Sequence, residues 1–193
     1  MYSFDGIVLK RSIIKETSIY LTLFTKEYWK ITAWDKDNKK RVQVDIWWVY
    51  NFSSTNDKQV NKIENSKPKI LPDISKLNYT CIENLLLICS YLDKLLANWM
   101  QYESIYEDYI STLKFMQNNE TSALAKELFI LRMSKKLWIA KDIDKWWSKN
   151  LFRMYSVIDI YSIDNLNWIK WLDVDDVNVM KSYNESNIFN FLN

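Results

Sequence analysis

The sequence predicts an α+β protein in which a small β-barrel comes first and an all-helical domain follows. Three observations favour this class. Short β-prone runs separated by polar turns fill residues 4–63. The two prolines of the chain, Pro68 and Pro72, then fall close together. Beyond them apolar residues recur at steps of three and four, as in helices. We therefore place the domain boundary between residues 72 and 73.

Five short strands are expected before that boundary. The clearest is Ser18–Thr25, in which Ile19, Leu21 and Leu23 share one face because side chains alternate along a strand. The other four runs are Gly6–Arg11, Lys30–Trp34, Val42–Phe52 and Val60–Ile63. Five strands at this spacing are typical of a small closed barrel such as an OB-fold. Residues 1–72 are thus predicted to form an OB-fold nucleic-acid-binding domain that ends at the prolines, which do not continue a central strand.

Residues 73–193 are predicted to be a helical domain. Asp73 follows a proline and is expected to cap the first helix. Apolar residues at 74, 77, 81, 85, 88, 92, 95 and 99 predict one long helix, or two that break near Asn78. Further helices are expected at about 102–117, 121–137 and 174–192. Residues 138–150 are predicted to be a loop, and the pattern over 151–163 is ambiguous.

The residue types present exclude most catalytic chemistries. Histidine is absent, so no Ser-His-Asp or Cys-His arrangement exists. A single glycine excludes a glycine-rich phosphate loop. Asp173, Asp175 and Asp176 resemble a metal-binding cluster, but they stand where a helix begins and acidic residues favour its dipole. We expect no enzyme, cofactor or metal site, and keep a nucleic-acid enzyme without recognisable motifs as an alternative.

The chain is expected to lie in the cytoplasm. The sequence contains no run of about 18 apolar residues, so no membrane-spanning helix is predicted. The N-terminus lacks the basic region and apolar segment of a secretory signal. Cys81 and Cys89 lie inside an apolar helical pattern, where they are expected to be core residues in a reducing compartment.

Positive charge is concentrated in the first domain. Residues 1–72 carry 13 Lys and Arg against 8 Asp and Glu, whereas residues 73–193 carry 13 against 16. A basic barrel suits nucleic acid, because cations neutralise phosphates while aromatic rings stack on bases. Tyr28 and Tyr20 are the candidate rings. The candidate DNA-binding cations are Lys10, Arg11, Lys30, Lys36, Lys39, Lys40 and Arg41. The alternative is that these charges only solubilise the surface.

Several short pieces occur in a characteristic order over residues 4–145. In the first half they are Gly6–Arg11, Glu16-Thr17, Leu23–Glu27, Lys30–Ala33 and Lys36–Lys40. In the second half they are Leu128–Arg132, followed by Trp138, Asp142 and Asp144. Their joint order and spacing resemble the DNA repair protein RecO family of recombination mediators. The zinc-binding cysteines of some members have no counterpart after Asp144.

The resemblance implies a protein that binds single- and double-stranded DNA, anneals complementary strands and helps load the RecA recombinase without using a nucleotide. It also implies two partners, RecR and the acidic C-terminal tail of single-stranded-DNA-binding protein, and a nucleoid-associated location. For that tail we predict a basic, partly apolar groove on the third helix, made of Phe129, Arg132, Lys135 and Lys136. The alternative is that these cations form a solvated helix end favoured by the dipole.

A second function class is a helical protein-interaction module whose barrel only supports it and has no direct DNA role. Weak single-strand binding without salt dependence would favour that class. Nuclease or ligase activity would favour the enzyme alternative instead.

Glycine and tryptophan depart from ordinary usage together. Gly6 is the single glycine, where a usage of about 7% would give roughly 14, and ten tryptophans are present. Trp29 and Trp138 stand where the family pattern has turn glycines, and Trp47 and Trp48 fall where glycines are common. We hypothesise that a UGA codon decoded as glycine has been translated here as tryptophan. The hypothesis predicts Trp29 and Trp138 at turns and partly exposed. The alternative is that the tryptophans pack as aromatic core.

Overall fold

The fold is α+β, as predicted. The computed structural model describes residues 2–15, 18–36, 44–56, 61–70, 73, 76–98, 100, 102–118, 122–141, 147–160, 163, 169 and 171–193. Within these ranges a closed five-stranded barrel of the OB-fold type is followed by five helices. The predicted class is therefore confirmed.

The barrel is built from consecutive strands whose order reverses at one point. The strands are β1 (Tyr2–Lys15), β2 (Ser18–Thr25), β3 (Lys30–Lys36), β4 (Val49–Asn56) and β5 (Asn61–Ile70). Their order around the barrel is β1-β2-β3-β5-β4, and β4 pairs with β1 to close it. All neighbouring strands are antiparallel except β3 and β5, which run parallel.

Several predicted strand bounds differ from the structure. The first strand runs from Tyr2 to Lys15 and is longer at both ends than the predicted Gly6–Arg11. The fourth strand begins at Val49, not Val42, because Ile46 and Trp47 form a turn. The fifth strand continues through Pro68, where the barrel was expected to have ended. Pro68 is tolerated because this part of β5 pairs with β4, opposite Tyr50, whereas its described pairing with β3 lies at the other end of the strand. The missing N–H therefore interrupts no described ladder on that side.

The barrel interior is filled by side chains that alternate along the strands. Every second residue of β2 from Ile19 to Leu23 is buried, as the sequence pattern predicts. The core cluster consists of Phe4, Val8, Ile19, Leu21, Leu23, Ala33, Val44, Tyr50, Phe52 and Ile63. Such a packed interior fixes the register, since a slip of one residue would turn this apolar set toward solvent.

Three of the helices fall where the sequence predicts them. The stretch 149–157, which the sequence predicts as the end of a loop and an ambiguous segment, is helical, and the first helix is shorter at both ends than its apolar pattern predicts. The helices are α1 (Tyr79–Leu95), α2 (Glu103–Asn118), α3 (Ser122–Lys136), α4 (Lys149–Val157) and α5 (Val174–Leu192). The expectation that Asp73 caps the first helix is wrong, because Asn78 takes that role. Its Oδ1 accepts a hydrogen bond from the Cys81 N–H at 2.8 Å. None of the described helices is long and apolar enough to cross a membrane.

The acidic cluster at the start of α5 is a helix cap, as predicted. Asp173 Oδ1 accepts a hydrogen bond from the Asp176 N–H at 2.8 Å. Asp176 in turn accepts from the Ser148 hydroxyl at 2.6 Å, and Ser148 itself caps α4 by accepting from the Leu151 N–H. Among the residues that the structure describes, no group of three His, Cys, Asp or Glu side chains is placed to hold a metal ion.

The chain divides into two compact units. The first contains Met1–Ile74 and Leu85–Tyr106, and the second contains Ser75–Asn84 and Glu107–Asn193. In this division the helical segment Leu85–Tyr106 groups with the barrel. Within the first unit that segment places the Tyr106 ring 5.6 Å from the buried Phe24 ring.

Two tryptophans have a left-handed backbone. Trp47 (φ 65°) and Trp138 (φ 58°) are the non-glycine residues with positive φ in the described part of the chain. Trp138 follows α3 at a position defined by two hydrogen bonds. The Ile139 N–H donates to Ser134 O at 2.8 Å, and the Trp138 N–H donates to Lys135 O at 3.0 Å. This pair of bonds is a Schellman motif, in which glycine usually occupies the left-handed position.

The predicted placement of two tryptophans is confirmed. Trp138 is 94% exposed in the turn after α3, and Trp29 is 43% exposed between β2 and β3. Trp29 lacks a left-handed backbone. Trp47 and Trp48 differ from them: Trp47 is buried, and Trp48 stacks on Tyr50 with centroids 6.2 Å apart. The tryptophans thus include both strained turn residues and packed rings.

Candidate nucleic-acid interface

The first two predicted DNA-binding cations are neighbours on β1 with different surroundings. Lys10 is exposed, and its register partner is Thr22. Arg11 is paired with the buried Leu21 and is itself half-buried. Burial raises the pKa of the Tyr50 hydroxyl, and the nearby charge of Arg11 opposes part of that rise. Consecutive side chains point to opposite faces of a strand, so Lys10 alone of this pair is presented outward.

The remaining predicted cations lie on β3 and the turn after it. Lys30 is largely buried and forms an ion pair with Asp93 at 3.8 Å, besides donating to the Asp93 carbonyl oxygen. Lys36 is the last residue of β3, opposite Ser18. The turn cluster of Lys39, Lys40 and Arg41 lies outside the described residues. Strand alternation thus places Lys10 and Lys30 on the outer face of the barrel and Arg11 on the opposite one. Of the two outer lysines, Lys30 is engaged by Asp93.

A row of five outward positions crosses all five strands of the barrel. The register pairs Ser12 with Tyr20 and Tyr20 with Trp34. It then pairs Trp34 with Lys62 and Lys62 with Thr55. The residues on either side of Tyr20 and Trp34 are buried, so alternation turns these two rings to the outside. We call these five residues the outer row.

The outer row combines aromatic surface with positive charge. Lys62 Nζ lies 5.8 Å from the centroid of the Trp34 ring and 2.6 Å from Glu64 Oε1. Tyr20 and Trp34 are both partly exposed. Exposed Lys10 lies two residues before Ser12 on β1, at the preceding outward position. Rings beside cations can stack on bases while the cations meet phosphates.

Trp34 and Lys62 were missed as candidates from the sequence. The alternation of β3 already places Trp34 outward, since Ala33 beside it is apolar and small. The pairing with Lys62 is a different matter, because it depends on the parallel contact of β3 with β5. No local pattern specifies a contact between residues so far apart along the chain. Tyr28, the other predicted stacking residue, is 38% exposed and packs edge-on against Phe4.

The predicted partner groove on α3 consists of residues with internal contacts. Phe129 is fully buried, and its ring packs edge-on against Tyr109 with centroids 6.2 Å apart. Arg132 Nη1 lies 3.2 Å from Asp108 Oδ1, and Lys136 Nζ lies 2.6 Å from Asp108 Oδ2. Two cations therefore share one buried carboxylate, and the Phe129 ring offers no surface to a partner in this arrangement.

Lys135 also has a structural role. Its Nζ lies 2.6 Å from Asp159 Oδ2 and 4.2 Å from the centroid of the Tyr155 ring. It further donates a hydrogen bond to the Tyr155 carbonyl oxygen at 3.1 Å. These contacts tie the end of α3 to α4 and the turn after it. The assignment of this region to a partner stays a prediction.

Comparison with known proteins adds no family to this geometry. No protein-family model matches the chain, and no curated protein matches it either.

Proposed function

We propose that the chain is a DNA repair and recombination mediator that binds single- and double-stranded DNA through its barrel. In this proposal it anneals complementary strands and helps load a recombinase onto protein-coated single strands, as the resemblance to the RecO family implies. It acts without a nucleotide, as a binding protein and not an enzyme, in the cytoplasm at the nucleoid. RecR and the acidic tail of single-stranded-DNA-binding protein are its proposed partners.

The observation that carries the proposal is the outer row on an OB-fold barrel. Five-stranded barrels of this type bind oligonucleotides on the face formed by their second and third strands. Here that face carries Tyr20 and Trp34, with Lys62 beside them and Lys10 nearby. Stacking rings next to lysines are the combination by which proteins hold single strands without sequence preference.

A salt titration of single-strand binding, paired with an annealing assay lacking nucleotide, tests the proposal. We expect affinity to fall steeply with salt, because each phosphate contact releases counterions and adds about 0.7 to the slope of log affinity against log salt. Charge reversal of Lys39, Lys40 and Arg41 should flatten that slope. The matched control reverses three exposed lysines of the helical unit, Lys141, Lys149 and Lys181. A wild-type slope near zero, or no annealing, would contradict the proposal.

A protein-interaction module is the second candidate, and one observation favours it. The end of α5 exposes three large apolar side chains: Phe189 is 67% exposed, Phe191 is 55% and Leu192 is 44%. Exposed apolar groups close together favour protein contacts. Under this alternative the chain binds DNA weakly and without salt dependence, so the same titration separates the two functions.

A further inference from the structure

We infer that Tyr20 and Trp34 form a platform on which the bases of single-stranded DNA stack. The platform gives the chain its preference for single strands over duplex. This inference rests on the proposed function. It adds that the platform recognises the exposed faces of unpaired bases. The basic residues bind phosphates and therefore do not distinguish single strands from duplex.

The placement of the two rings supports a shared platform. Tyr20 and Trp34 are direct register partners on adjacent strands, so their Cβ atoms are about 5 Å apart on the same face. The two ends of the outer row, Ser12 beside Tyr20 and Thr55 beside Lys62, have short side chains. Single strands bring unstacked base faces to such a surface, whereas the bases of a duplex are already paired and stacked.

The contribution of the two rings to DNA affinity can be distinguished from that of the phosphate contacts. Lys62 Nζ lies 2.6 Å from Glu64 Oε1, so its charge is partly compensated before any ligand arrives. Replacing either ring removes no charge from this surface. It follows that the two rings change the affinity for single strands while leaving the salt dependence to other cations.

Trp34 is a tryptophan for which the backbone does not require glycine. It lies within β3, outside the left-handed region, with register partners on both neighbouring strands. Glycine in a strand interior weakens the strand. The decoding hypothesis for the turn tryptophans therefore gives no reason to replace Trp34.

The experiment compares wild type with Trp34→Leu and Tyr20→Leu in the full chain. Fluorescence anisotropy measures binding to a labelled thymidine oligonucleotide and to a duplex of equal length, over a range of salt. We expect single-strand affinity to fall about tenfold for each ring removed. Duplex affinity and the salt slope should be unchanged, and Trp34→Phe should retain most of the affinity. Tyr79→Leu, at an aromatic residue 75% exposed on α1, is the matched control.

Stacking itself is read with an oligonucleotide containing 2-aminopurine, whose fluorescence should be quenched by wild type and less by Trp34→Leu. Unchanged single-strand affinity in both leucine variants, with wild type still binding DNA, would overturn the platform and leave the proposed function standing. Equal losses for single strand and duplex would also overturn it. Wild type that binds no DNA at low salt would refute the proposed function itself. Glycine at position 34 in the natural protein would likewise exclude the platform.

Discussion

Trp138 shows how one side chain can be at odds with the backbone that carries it. Its φ of 58° lies in the left-handed region, where a residue with a Cβ atom costs about 1–2 kcal/mol. The ring is 94% exposed, so burial offsets little of that cost. The two hydrogen bonds of the Schellman motif hold the position in place regardless of its side chain. Glycine suits this position better than tryptophan does.

Trp138→Gly is therefore expected to stabilise the chain by about 1 kcal/mol, through removal of left-handed strain. Urea unfolding measures the difference. Trp29→Gly is the matched control, because Trp29 is also exposed in a turn but its backbone is not left-handed. An equal gain in both variants would show that backbone strain is not the cause.

The decoding hypothesis makes a prediction about the natural protein. Peptide mass spectrometry should find glycine at positions 29, 47 and 138. Two of these three residues have positive φ, a conformation that glycine adopts without penalty. Tryptophan at position 29 or 138 would overturn the hypothesis and leave the strain at Trp138 as a property of the natural chain.

The buried hydroxyl of Tyr50 makes the stability of the barrel depend on pH in the alkaline range. Its side chain is fully buried, and its hydroxyl accepts a hydrogen bond from the Asp45 N–H at 3.0 Å. Burial raises the pKa of Tyr50 from 10.0 to about 12. Because the neutral form is favoured in the folded state, this contribution to stability is complete below pH 10. It is lost as the pH rises toward 12, by roughly 2–3 kcal/mol. Thermal melts should show a smaller loss over this window for Tyr50→Phe than for wild type.

At the scale of elements, α2 and α3 are joined through a buried carboxylate. Asp108 accepts from Arg132 and Lys136, and both acidic and guanidinium side chains are about nine-tenths buried. Asp108→Asn removes the buried carboxylate that both cations share, so we expect the free energy of unfolding, measured in urea, to fall by about 3 kcal/mol. The control is Glu185→Gln, which removes a half-exposed ion pair with Lys181 and should cost less than about 0.5 kcal/mol. Similar costs for both variants would contradict the buried role.

Regular periodicity made some elements predictable and left others out of reach. The bounds of β2 and α5 follow from alternation and from helical spacing, and both agree with the structure. Pro68 could not be assigned correctly, because whether proline fits a strand depends on which side of it has a partner. Asp73 and Asn78 are equally good caps in isolation. Tertiary packing decides which of the two residues caps the helix, and this packing cannot be predicted from the local sequence.

The candidate site was predictable only in its local part. The exposed position of Lys10 and the outward ring of Tyr20 follow from strand alternation. Lys30 is paired with Asp93, which lies on a helix and is 63 residues further along the chain, so no local pattern predicts this ion pair. Charge counts cannot distinguish a lysine with such a partner from a free one.

At the scale of the whole molecule, the helical segment Leu85–Tyr106 belongs with the barrel. A fragment of residues 1–72 would expose the buried Phe24 ring that meets Tyr106, and would leave Lys30 without Asp93. We expect this fragment to unfold at a lower urea concentration than a fragment of residues 1–106, which keeps those contacts. Equal midpoints would instead support an independent domain that ends at residue 72.

The parallel pairing of β3 with β5 is the short contact that completes the closed barrel on that side. In the described residues the two strands meet at Ala33 with Asn61 and at Trp34 with Lys62, whereas the other neighbouring strands share longer ladders. Among the described residues, this seam has fewer paired positions than any other two neighbouring strands. A ligand lying over Trp34 and Lys62 would contact both strands of the seam. Ligand binding would therefore stabilise the pairing of β3 with β5, and that pairing would in turn strengthen ligand binding.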